Sequence, residues 1–411
     1  MKNVINLIFI LIYKISFEIV TCTYYKNYYR DFNLNISKLL ISYISIIILG
    51  LYIPKNEKKL SNIYTYFLYM MMLIPTSSYY YLTNNSTLFY LFFCLGFFII
   101  IILVKKKINF KLNNYRIVPI FKKFKYKYFL YLFIFTIFYI LVKNVRFPTF
   151  KVFNFRNIYI LRKEIAPVGI ILTLETILKE ILYFIFITKK LKYKIFSYCL
   201  IILLFMINPH KATLFIPILG LIFYIFYKQK NLIKIIALGL CSLTTSALFL
   251  GKYFSENIYT LLIRRTLLIP ASLNFFYYDF IVSRKGNHIY YFRETIKNLF
   301  NIDVSNFEGK YADRIGEIYF KAGVHANNGF LASEYIRTGL FGIIFISFLV
   351  GITFLYLDYL GKRLSAEKIN SLFFLFPFYL ISASYIDSLR NMIFFKLFVC
   401  TIIFLTSKRR N

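Results

Sequence analysis

The residues able to do chemistry gather in one polar stretch, 251–342, of a chain of 411 residues. Arg264 and Arg265 stand side by side. Tyr277-Tyr278-Asp279-Phe280 follows. His325-Ala326-Asn327-Asn328 leads into Glu334, Arg337, Gly339 and Gly342, and all but one of the histidines lie here. A guanidinium grips a phosphate through two parallel hydrogen bonds. An imidazole or a carboxylate takes a proton from a hydroxyl. A second segment, Arg146 to Glu164, alternates Arg and Lys with aromatic rings and contains Arg156 and Arg162. Aromatic rings stack on the apolar faces of sugars, so a lipid-linked sugar phosphate would satisfy both groups at a membrane surface.

Each candidate also has a plainer reading. The Arg146–Glu164 segment fits side chains snorkelling beside an aromatic belt. Asn208-Pro209-His210-Lys211 places Lys211 at a helix start, where a cation opposes the helix dipole and a bound anion would relieve it; a solvated turn is the alternative. Asp279 can act on its own or pair with an arginine. His325 can be a base or surface decoration. Asn327 and Asn328 suit a helix cap. Glu334 and Arg337 are three apart and share a helix face. Gly339 and Gly342 suit close helix packing.

The elements that position these residues are apolar. The chain is 59% hydrophobic, 21% aromatic and 17% charged. Soluble domains average about 45–50% apolar and about 25% charged, so lipid is the expected solvent. Twelve segments have the length and apolarity of spanning helices: 4–20, 36–53, 62–82, 86–104, 128–145, 166–187, 195–208, 212–227, 233–250, 330–358, 370–387 and 391–406. The turns 83–85 and 208–211 each join two of them as a hairpin. The first is expected to be a retained helix, because Lys14 and Glu18 interrupt it and no small-residue cleavage site follows. The spans themselves read as nearly free of charge.

Net charge is +34, from 51 Lys+Arg against 17 Asp+Glu. The basic residues cluster between apolar runs, which encodes orientation and argues against nucleic acid. Lys55–Lys59, Lys105–Lys127, Lys189–Lys194 and the tail Lys408-Arg409-Arg410 fall on one side, the cytoplasm, with both termini. The external face then receives 146–165 and the large loop 251–328, while 1–411 forms one membrane domain. Within that loop, 258–269 reads as a re-entrant or interfacial helix ended or kinked by Pro270. The five cysteines are scattered, with no disulfide or metal spacing.

Four pieces together resemble the bacterial O-antigen polymerases, the oligosaccharide repeat-unit polymerases. They are Asn208-Pro209-His210-Lys211; Arg265 through Pro270-Ala271 to Tyr277-Tyr278-Asp279-Phe280; Ile315-Gly316-Glu317-Ile318-Tyr319-Phe320; and Asn327-Asn328-Gly329-Phe330-Leu331 leading to Gly339-Leu340-Phe341-Gly342. The resemblance implies an all-α, GT-C-like membrane glycosyltransferase of about twelve helices with a large external loop. It implies transfer of a glycan from undecaprenyl pyrophosphate onto a lipid-linked repeat unit, at the outer face of the bacterial inner membrane. Arg265 and Arg264 would hold the leaving pyrophosphate, helped by Arg156 or Arg162, with Lys211 and Arg337 as further substrate contacts. His325, Asp279 and Glu334, in that order, are the base candidates. No metal or cofactor is expected. Partners would be the undecaprenyl-pyrophosphate-linked oligosaccharide, membrane lipids and a chain-length regulator protein.

Two rivals remain. O-antigen ligases show His-x-His-Asn and then Glu-x-Gly, where this chain has His325-Ala326-Asn327-Asn328 and Arg337-Thr338-Gly339. A lipid-linked oligosaccharide flippase would carry charges inside the bundle, along a path between similar halves.

Overall fold

The computed structural model describes residues 2–25, 33–54, 56–106, 126–145, 148, 150, 170–188, 191–228, 232–253, 259–283, 288, 311–320, 324–389, 396–397 and 400–401. Among them the secondary structure is helical, without strands. The helices are α1 (Lys2–Tyr25), α2 (Ile36–Tyr52), α3 (Leu60–Leu68), α4 (Ile74–Leu82), α5 (Thr87–Lys105), α6 (Tyr126–Asn144), α7 (Ile170–Thr188), α8 (Leu191–Ile207), α9 (Lys211–Lys228) and α10 (Leu232–Tyr253). After them come α11 (Ile269–Ser283), α12 (Tyr311–Tyr319), α13 (Phe330–Leu364), α14 (Ala366–Phe373), α15 (Phe376–Ser382) and α16 (Tyr385–Ser388). Four stretches among the described residues are long and apolar enough to cross a membrane: Asn6–Tyr24, Thr87–Lys105, Leu232–Tyr253 and Phe330–Lys362.

Two compact units divide the chain. The first gathers Met1–Asn109, Asn231–Leu357 and Leu375–Ser388; the second gathers Phe110–Lys230, Asp358–Phe374 and Leu389–Asn411.

Sequence punctuation explains most boundaries. Asn35 caps α2 by accepting from the Lys38 N–H at 3.2 Å, and Ser86 caps α5 through the Phe89 N–H. Both expected hairpin turns are present: α4 ends at Leu82 before α5 at Thr87, and α8 ends at Ile207 before α9 at Lys211. Lys38 donates to the carbonyls of Asn84 and Asn85, placing a cation at the α4 C-terminus where the dipole favours one.

Proline gives the first correction. The helix at 258–269 neither stops nor stands alone at Pro270. A π segment, Thr260–Leu268, runs straight into α11. Its closing bond, Ile269 N–H to the Arg264 carbonyl, spans five residues rather than four. That wider turn removes the ring–carbonyl clash a proline causes inside an α-helix. The same device recurs before Pro75, where a π segment Tyr69–Leu73 joins α3 to α4 and the Ile74 N–H reaches the Tyr69 carbonyl. In α9, Pro217 leaves the Thr213 carbonyl without its helical donor, and the Tyr183 hydroxyl supplies one at 3.1 Å. The expected span 370–387 is instead three short helices, α14 to α16, because Pro377 falls at the start of α15 and cannot continue the ladder. The expected span 391–406 lies mostly outside the described residues.

The second correction concerns charge. The helices carry buried ions. In the first unit, Lys14 is fully buried and bonds Glu18 at 2.6 Å, Ser42 at 2.9 Å, Ser77 at 3.0 Å and Ser78 at 3.1 Å. The Tyr43 hydroxyl donates to the other Glu18 oxygen at 2.6 Å. In the second unit, Lys179 pairs with Glu175, Lys396 with Glu180 at 3.0 Å, and Asn208 donates to Glu175 at 2.9 Å. Composition hid these groups because each is paired, which makes burial tolerable and keeps their number small.

Candidate functional site

The site belongs to the first unit and is built on backbone contact between α12 and the segment that follows it. Gly316 makes that contact possible: a Cβ there would lie 1.6 Å from the Val324 carbonyl oxygen. The Ala326 N–H then donates to the Ala312 carbonyl at 3.0 Å. From the other side, the Tyr277 hydroxyl of α11 donates to the Ala326 carbonyl at 2.6 Å. Ala326 is thus held at both ends of its peptide unit. Phe276 of α11 stacks on Tyr319 of α12, centroids 4.5 Å apart and 4° from parallel, which fixes the two helices against each other.

His325 sits on this clamped backbone. Its Nδ1 meets an Asp313 carboxylate oxygen, and the side chains are 69% and 36% exposed. The imidazole is therefore open on its far side. Asp279, exposed at the end of α11, accepts from the hydroxyls of Ser283 and Tyr319. It makes no ion pair among the described residues.

Beneath this surface lies a buried polar layer. Asn328 accepts from the Gly329 N–H at 2.7 Å and donates to Asn274 at 3.0 Å, which donates to Thr76 at 2.9 Å. Gly329, not Asn327 or Asn328, stands at the cap position, its carbonyl accepting from the Ser333 N–H at 3.1 Å, while the Asn328 amide ties the helix start to α11. Glu334 and Arg337 form the expected pair, 2.5 Å apart, at only 9% and 6% exposure. Arg337 also donates to the Tyr311 hydroxyl of α12 at 3.2 Å. With its charge matched and its guanidinium buried, Arg337 joins α12 to α13; phosphate binding would require it to exchange Glu334. Asp387 lies within electrostatic reach of both Glu334 and Arg337.

The glycine pair acts within one helix rather than between two. Gly339 has φ +65° and ψ −144°, which interrupts α13. The break brings Gly342 back onto the preceding turn, where a Cβ would lie 2.5 Å from the Glu334 carbonyl oxygen. The Ile336 carbonyl, one turn before the break, meets His288 Nδ1 at 2.9 Å.

The other candidates are more dispersed. Arg264 is partly buried and Arg265 exposed on the π segment. Arg265 makes no hydrogen bond or ion pair with another described residue. Lys211 begins α9 in the second unit. Arg156 and Arg162 lie outside the described residues. The structure adds Asp313, Tyr311 and His288, none of which sequence reasoning selected. Asp313 had a usable signal: an acidic residue in the first turn of a short amphipathic helix. No family model, curated protein or solved structure matches the chain.

Proposed function

We propose that this protein is a membrane glycosyltransferase that polymerises lipid-pyrophosphate-linked oligosaccharide repeat units into a surface polysaccharide. The observation that carries the reading is convergence. Tyr277–Phe280 lies some way before the run that holds Ile315–Phe320, His325 and Asn327–Leu331, and the two parts of the chain meet around that exposed histidine. An acceptor hydroxyl would lose its proton to His325 as its oxygen attacks the anomeric carbon. The bond to pyrophosphate breaks and the leaving group keeps the electron pair. Arg265, exposed and without a partner among the described residues, is the cation assigned to meet that charge.

The buried ion pairs give the flippase reading its one supporting observation. Each is closed on a partner within its own unit, which suits pinning of helices better than an open polar path.

Deleting the gene separates the readings. A polymerase deletion leaves a single repeat unit still delivered to its final carrier. Long chains stranded on the lipid carrier would instead mark a ligase, and single units trapped facing the cytoplasm would mark a flippase. Gel separation of surface glycans, together with extraction of the lipid-linked pool, reads all three.

A further inference from the structure

The pairing of His325 with Asp313 is closer to a catalytic arrangement than to a stabilising one. Its own attraction is small, because ion pairs this exposed contribute roughly 0–1 kcal/mol. What holds it is the backbone: Gly316 against Val324, Ala326 bonded to Ala312, and Tyr277 bonded to Ala326. Three contacts that do not involve either side chain bring the imidazole to the carboxylate.

The chemistry of the contact follows. An ionised carboxylate only accepts, so the Nδ1 facing it carries the hydrogen. A neutral imidazole has one such hydrogen, which leaves Nε2 with a bare lone pair. Nε2 points away from Asp313 by the geometry of the ring, and the side chain is 69% exposed. A histidine free in water favours the opposite tautomer, with the hydrogen on Nε2. Glu334 is buried and paired with Arg337, and each oxygen of Asp279 already accepts one hydroxyl hydrogen, from Ser283 and from Tyr319, which lowers its basicity as a proton acceptor.

We propose that Asp313 is a positioning residue that holds His325 in the Nδ1–H tautomer and orients its Nε2 to take the proton of the acceptor hydroxyl. This rests on the glycosyl-transfer reading. In the transfer step the hydroxyl proton goes to Nε2, the hydroxyl oxygen bonds the anomeric carbon, and the pyrophosphate leaves with the bonding pair. Asp313 touches no reacting atom. It steadies the imidazolium that forms and is not itself protonated.

Two readouts on the full-length protein in lipid nanodiscs test this. The first is ¹⁵N NMR of ring-labelled histidine near pH 8.5, with signals assigned by replacing His210, His288 and His325 with Gln one at a time. Wild type should show His325 with a protonated Nδ1 and a bare Nε2. Asp313→Asn should return it to the Nε2–H form, and Asp313→Glu should keep part of the wild-type signal. The second is chain extension with purified lipid-linked repeat unit. Asp313→Asn should lower kcat by roughly 10²-fold or more with KM little changed, since a placed base is typically worth about 10²–10⁴-fold, and Asp313→Glu should recover part of it.

A wild-type His325 already protonated on Nε2 overturns the proposal. So does full activity in Asp313→Asn when His325→Ala is inactive, and that result leaves glycosyl transfer standing. Absence of any extension by wild type overturns glycosyl transfer and the catalytic role of Asp313 together, while the NMR arm still confirms or refutes the pairing.

Discussion

Tyr277 separates packing from chemistry at the level of one atom. Its ring is fully buried and its hydroxyl serves the Ala326 carbonyl. Tyr277→Phe keeps the ring and strips that donor, leaving a buried acceptor at a penalty of about 1–3 kcal/mol. The expected result is a lowered thermal midpoint and chain extension reduced more than the folded fraction; equal losses in both would mean that the bond serves stability alone. Arg265 is the opposite case, an exposed cation without a described partner. Arg265→Ala should stop chain extension at normal protein level, and Arg265→Lys should restore it only partly, because an ammonium keeps the charge and loses the fork. Normal glycan lengths in the alanine variant remove Arg265 from the site. Spacing made the Glu334–Arg337 pair legible, because three residues on a helix fix proximity. Asp313 was not legible as the partner of His325, because their contact depends on a glycine-mediated approach between segments that no local period encodes.

Among the elements, α13 shows most clearly what glycine permits. An L-residue at Gly339 would have to hold φ +65° with ψ −144°, outside the left-handed helical well, at about 1–3 kcal/mol. At Gly342 a methyl would meet the Glu334 carbonyl oxygen at 2.5 Å and Thr338 Oγ1 at 2.2 Å. The threonine can turn aside but the carbonyl cannot. Gly342→Ala should therefore lower the thermal midpoint in detergent more than Gly339→Ala, and the reverse order would mean that the break is held by backbone conformation rather than by contact. Apolar length placed most helices within a few residues of where they stand. The π segments were beyond reach, because a helix that gains one residue per turn looks the same in hydropathy. The two prolines after them, Pro75 and Pro270, were the visible trace, and proline alone does not reveal the register shift that precedes it.

At the scale of the whole chain, the apolar composition is matched by four stretches among the described residues that are long and apolar enough to cross a membrane, and orientation is read from where the lysines fall. Cysteines introduced at Ser255 and Ser305, in a background lacking the five native cysteines, should react with an impermeant reagent outside intact cells, and one at Ser365 should not. Labelling only at Ser365 would invert the topology and take the external site with it. The charge inside the helices was underestimated because counting residues says nothing about their partners.

Those partners bear on how such a chain is made. A helix entering lipid as it is synthesised meets hydrocarbon before its neighbours exist. Lys14 has Glu18 four residues on, Glu175 has Lys179, and Glu334 has Arg337 three on. Each helix therefore brings its own counter-ion and can be inserted as a locally neutral segment, with the serines around Lys14 arriving later as solvation rather than as rescue. Glu180 is the exception. Its hydrogen-bonded partner Lys396 emerges only near the end of synthesis, so until then the neighbouring Lys179, already shared with Glu175, is its source of compensation on α7. A chain ending before Lys396 would leave the second unit without the ion pair that ties its last segment to α7.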